Sequence, residues 1–91
     1  MAELLEDDEI ERRLPEHWEY DGDEIARTYE FDDYLSGVTF VTDVAELADE
    51  AFHHPEITLS YDEVEVRFTT HDAGGVTEKD LRLADACDGE Y

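Results

Sequence analysis

The feature that most constrains this chain is a change in apolar period, from two to about 3.6 and back to two, across its middle. Trp18 to Glu30 reads as two short strands joined by the turn sequence Asp21-Gly22-Asp23, with Ile25, Arg27, Tyr29 and Phe31 on one face. Asp32 and Asp33 can cap a long helix reaching about Ala51. Within it Tyr34, Val38, Val41, Ala45, Ala48 and Phe52 follow i,i+3,i+4 spacing and are expected to face the core. A flanking stripe of Phe40, Val44, Leu47 and Ala51 makes the helix apolar on more than one face, to be covered by another subunit or by a preceding helix.

After Pro55 the period returns to two. Ile57, Leu59 and Tyr61 alternate with polar residues, a tight Tyr61-Asp62 connection follows, and Val64, Val66 and Phe68 alternate in turn. His71-Asp72-Ala73-Gly74-Gly75 is a loop, and Thr77 to about Ala86 a helix with Thr77 as N-cap, Leu81 and Ala84 inward, and Gly89 marking its end. A short first helix from about Asp7 to Arg13, with Ile10 and Leu14 inward and Pro15 as the stop, completes the order helix-strand-strand-helix-strand-strand-helix. Two hairpins with one-sided apolar faces predict an α+β domain: a four-stranded antiparallel sheet with helices packed on one face.

A chain of 91 residues supports one core, so residues 1-91 form a single domain. Its 28 acidic residues against 6 basic ones leave a net charge of −22. Apolar residues at 41% in periodic patterns argue against disorder, so the charge coats a folded surface. Such a surface repels phosphate backbones and anionic lipids, and neither nucleic acid nor membrane is an expected partner. Self-repulsion on this scale is relieved where molar salt shortens the Debye length to about 3 Å, so a salt-adapted protein is expected. Cys87 is the sole cysteine, so no intramolecular disulfide forms; Met1 to Asp8 lacks the pattern of a secretory signal, and no apolar run approaches the length of a membrane span. A cytoplasmic location follows as an expectation.

Three of the four histidines stand at joints between elements: His53 and His54 between the long helix and the third strand, His71 just past the fourth. A tight second hairpin brings those joints to one end of the sheet, and Asp80, three residues after the helix cap, can reach the same rim. Imidazole both donates and accepts a proton near neutrality, which suits a reaction needing acid and base together. Each residue also has a structural reading. A histidine at a helix end can cap carbonyls, Pro55 can stop the helix, and Asp80 fits a capping box with Thr77. Gly74-Gly75 is a turn rather than a phosphate cradle. His17, beside Trp18 in the exposed N-terminal part, carries no partner signal. A metal site is not expected, because adjacent histidines diverge and no HExxH or cysteine spacing is present. Cys87 is expected to lie away from the histidines.

Asp49, three residues, His53-His54-Pro55, five residues, Tyr61, nine residues, His71, eight residues and Asp80 form a spacing that resembles the pterin-4a-carbinolamine dehydratase family. The resemblance extends through HHPEITLSYDEVEVRFTTHDAGGVTEKDLRL and upstream to Trp18, Ile25, Tyr29, Phe31, Tyr34, Phe40 and Val44-Ala45. It implies loss of water from a 4a-hydroxytetrahydropterin to give quinonoid dihydropterin, with no metal or bound cofactor, in a homodimer or homotetramer. It further implies that His53, His54 and His71 surround the pterin as acid, base and binding group. Asp80 would orient a histidine, Phe52, Thr69, Thr70 and Asp72 would line the pocket, and Asp49 would supply a supporting carboxylate. Two positions depart from the pattern: Ile57 where some relatives carry an aromatic residue, and Asp49 where the longer Glu is found. A non-catalytic dimerisation or binding module, and a related pterin enzyme of molybdopterin metabolism, are the alternatives.

Overall fold

The structure, a computed structural model, describes residues 3–91. Its elements are α1 (Asp7–Arg13), β1 (Glu19–Asp21), β2 (Glu24–Glu30), α2 (Tyr34–Ala51), β3 (Glu56–Leu59), β4 (Glu63–Phe68) and α3 (Glu78–Glu90), in the expected order. All strand pairs are antiparallel, and the sheet order β1-β2-β4-β3 puts the second strand of each hairpin at the centre. The β2–β4 ladder sets Ile25 opposite Phe68, Arg27 opposite Val66 and Tyr29 opposite Val64. Ile57 and Leu59 continue those rows on β3. This face is buried beneath the helices, whereas Thr28, Glu65 and Arg67 alternate onto the open face.

Arg27 is the one cation in the apolar row. Its guanidinium lies over the Tyr29 ring and donates to Asp88 of α3 at 2.8 Å; Asp88 also accepts from Tyr29 Oη at 2.6 Å and Trp18 Nε1 at 3.0 Å. Trp18 is therefore core, which corrects the expectation that this N-terminal stretch is exposed; neighbouring His17 does stand exposed.

Asp33, not Asp32, caps α2, its Oδ1 accepting from Ser36 N–H at 2.8 Å. The inward face of α2 is Gly37, Phe40, Val44 and Ala48. The expected core stripe is thus corrected: it shares only Ala48 with the buried set, while Tyr34, Ala45 and Phe52 are exposed. Periodicity cannot say which of two apolar stripes turns inward. Gly37 does, because an added Cβ there would come within 3.2 Å of Leu59 and 3.4 Å of Val64, so the helix lies closest to the sheet on that line.

Helix α1 does not cover α2. It carries acidic residues in its first turn and Arg12 and Arg13 in its last, matching the helix dipole, and it is tied to β1 through Tyr20 Oη–Asp7 at 2.7 Å and to α3 through Arg13–Glu78 at 2.7 Å. Leu35 of α2 consequently stays 73% exposed. Two boundaries also differ from expectation. Tyr61 belongs to the turn rather than to β3, since Ser60 N–H closes on Glu63 O at 2.8 Å. Helix α3 runs through Gly89 to Glu90, because Gly89 keeps a helical backbone there and Tyr91 caps onto Asp88.

Candidate active site

The site begins with the backbone of one residue. Phe52 ends α2 in the left-handed region (φ 54°, ψ 43°), and His53 N–H returns to Ala48 O at 3.0 Å. That reversal sends the next two side chains to opposite sides of the sheet. His53 turns under the helices, where its ring stacks parallel to Phe68 at 6.2 Å and its side chain is only 11% exposed. His54 turns outward, its Nε2 3.1 Å from Asp49 Oδ1 and its ring edge-on to Phe52.

His53 is held by a buried carboxylate. Its Nε2 is 2.6 Å from Oδ1 of Asp80, a residue with no exposed surface. Asp80 Oδ2 accepts from Thr70 Oγ1 and from Thr77 N–H, both at 2.8 Å, and Thr77 caps α3 in return, so the capping box read from the sequence is present. The capping and orienting roles of Asp80 are therefore compatible: one oxygen closes the helix end, the other holds the imidazole. Because this carboxylate acts throughout as acceptor, Nε2 carries the proton and Nδ1 of a neutral His53 is the free nitrogen.

His54 and His71 share a cavity on the open face. Together with Pro55, Glu56, Glu24, Arg67 and Thr69 they line a cavity of about 370 Å³ where β3 begins and β4 ends. His71 enters from the turn after β4, which is closed by Thr70 N–H to Gly75 O at 2.9 Å and turned by Gly74 at φ 78°. Arg67 spans the cavity wall, bonded to Glu24 and, through Nε and Nη2, to both oxygens of Glu65 at 2.9 and 3.1 Å. These carboxylates raise the Arg67 pKa further, Glu65 first.

His53 has its own opening, a cavity of about 410 Å³ between α2 and α3 lined also by Leu47, Ala51, Lys79 and Arg82. Of the residues expected at the site, His54, His71 and Thr69 share one cavity, with Phe52 and Asp49 against His54. Thr70 belongs instead to the buried Asp80 network, and Asp72 stands exposed in the turn. Glu24, Glu56 and Arg67 join the cavity although spacing does not mark them; an Arg among the polar residues of an alternating strand is the one local signal, and its neighbours depend on strand register. Among the described residues no three His, Cys, Asp or Glu side chains are grouped to hold a metal ion, and no helix is long and apolar enough to cross a membrane. Cys87 is buried in α3, where loss of hydration pushes its thiol up to about 12.

Comparison with known proteins gives a consistent answer. Residues 3–89 match the family model described as pterin 4 alpha carbinolamine dehydratase. A protein of Halobacterium salinarum, named provisionally as a pterin-4-alpha-carbinolamine dehydratase, is 63% identical over 84 residues, covering 92% of each chain. One of the same provisional name from Natronomonas pharaonis is 58% identical over 88 residues, covering 97% of this chain and 96% of its own; halophilic archaea are thus among the relatives. A crystal structure described as a transcriptional coactivator/pterin dehydratase from Brucella melitensis superposes with a TM-score of 0.85 at 33% identity, over 97% of both chains.

Proposed function

We propose, from the premise that this chain belongs to the pterin 4 alpha carbinolamine dehydratase family, that it removes water from a 4a-hydroxytetrahydropterin by histidine acid–base catalysis. The observation that carries the proposal is the shared cavity of His54 and His71, two imidazoles delivered by different elements to one small space. Expelling the 4a-hydroxyl requires a proton, and the C4a=N5 double bond forms from the electron pair of the N5–H bond once a base takes that proton. One imidazole donates as the other accepts, so the pair ends with its protons exchanged and the products are water and quinonoid dihydropterin. His53 opens into a separate cavity and does not line this one; with its ring fixed by Asp80 against Phe68, it acts as a positioning residue that holds the adjoining His54 in place. The chemistry requires no metal or bound cofactor.

Dehydration followed in molar KCl tests this. His54→Ala and His71→Ala are expected to lower kcat by about 10²–10⁴-fold. Asp49→Asn should change it less than about threefold, since the His54–Asp49 pair is largely exposed. Absence of any acceleration by the folded wild type overturns the proposal.

A second reading, a dimerisation or binding module, is favoured by the exposed Tyr34 and Leu35 on α2 and by the coactivator description of the Brucella protein. The two are compatible: we read α2 as the contact of a homodimer or homotetramer in the cytoplasm. Light scattering of Leu35→Lys should report smaller particles than wild type; unchanged mass removes α2 from the contact.

A further inference from the structure

We infer that Glu24 selects the pterin ring, its carboxylate accepting from the N3–H and 2-amino groups, and that Arg67 positions it. This assignment rests on the dehydratase reading above. Glu24 opens β2 one step beyond the Ile25–Phe68 pair, which places it beside Thr69 on the open face and in the cavity of His54 and His71. Arg67 Nη1 donates to Glu24 Oε1, and the guanidinium is clamped from its other side by Glu65. Glu24 and Arg67 are 28% and 33% exposed, and Oε2 of Glu24 has no donor among the described residues. A held carboxylate with one free oxygen thus faces the cavity.

The substrate supplies the matching chemistry. A pterin presents N3–H and the 2-amino N–H side by side on one edge, a pair of donors that a carboxylate accepts with charge assistance. The reacting C4a–N5 bond lies on the other side of the same rigid bicycle. Glu24 on β2 and His54 just before β3 flank β4 in the same cavity, so a ring seated between them has its reacting bond toward the imidazoles. Glu56 lines the same cavity, but it is exposed and has no hydrogen-bond partner among the described residues. Ordering it on binding forfeits side-chain entropy that Glu24 has already lost to Arg67.

The test measures KM, kcat and tetrahydropterin binding in molar KCl for wild type, Glu24→Gln and Arg67→Lys, with folding checked by circular dichroism. Each is paired with a substrate lacking the 2-amino group. Glu24→Gln is expected to raise KM about 10–100-fold while kcat stays within about threefold. Wild type should suffer a similar loss with the 2-desamino substrate, and Glu24→Gln little further loss. Arg67→Lys should fall between the two proteins. Equal discrimination between the two substrates by wild type and Glu24→Gln overturns the assignment while leaving the dehydratase reading intact. A folded wild type that neither binds tetrahydropterin nor dehydrates the substrate removes that reading and the assignment with it.

Discussion

Nε2 of His53 lies 2.6 Å from Oδ1 of Asp80, and this contact ties the end of α2 to the first turn of α3. The same carboxylate receives Thr70 and Thr77, so one buried group serves a helix cap, a loop and an imidazole. Asp80→Asn should cost about 1–3 kcal/mol of stability in a urea titration. It should also lower kcat and shift the pH–rate profile, because His53 loses its carboxylate partner. Thr70→Val should cost about 1 kcal/mol with a smaller effect on rate. A wild-type pH–rate profile in Asp80→Asn would reduce the contact to a structural one.

Phe52 adopts a left-handed backbone that disfavours any residue bearing a Cβ, yet its ring is 86% exposed. Phe52→Gly should therefore raise stability by about 1 kcal/mol, read as a higher urea midpoint. The same change removes the ring from the edge of His54 and should weaken turnover. A less stable variant would show that the ring itself holds the cap.

Alkaline pH should weaken the fold in two stages. Burial, with Asp88 and Glu90 nearby, pushes the Cys87 thiol from 9.0 up to about 12. Burial first, and then its hydrogen bond to Asp88, raises the Tyr29 phenol well above its ordinary 10.0. Both groups hold their protons longer folded than unfolded, so their contribution is complete below the unfolded pKa and is lost as pH rises toward the folded one. Urea midpoints should fall from pH 9 upward, more steeply past pH 10. Cys87→Ala should flatten the first stage alone; an unchanged slope between pH 9 and 10 would exclude the thiol as its source.

Salt should act in the opposite direction. With a net charge of −22, the unfolding midpoint is expected to rise from dilute buffer to molar KCl as surface repulsion is screened. No gain across that range would refute adaptation to high salt.

Much of the site was legible as a list of residues but not as an arrangement. The spacing of His53, His54, His71 and Asp80 is local information, and so is the Thr77–Asp80 capping box, since its partners lie three residues apart. That Thr70 would serve Asp80 rather than line the pocket was not legible, because it depends on how the turn after β4 meets α3. The inward face of α2 is not legible for a related reason: two apolar stripes compete, and only contact between Gly37 and the Leu59–Val64 pair decides between them.

By itself the sequence determined the order of elements, the one-sided sheet and the placing of three histidines at its joints, because side-chain period and capping chemistry act within a few residues. Tertiary structure alone decided that β2 lies beside β4, which brings Glu24 to Arg67 from 43 residues away, and that the adjacent His53 and His54 part to opposite faces. The physical reason is the same in both cases. An alternating strand specifies which of its faces is buried, but its neighbour and register follow from how several buried faces fit together at once.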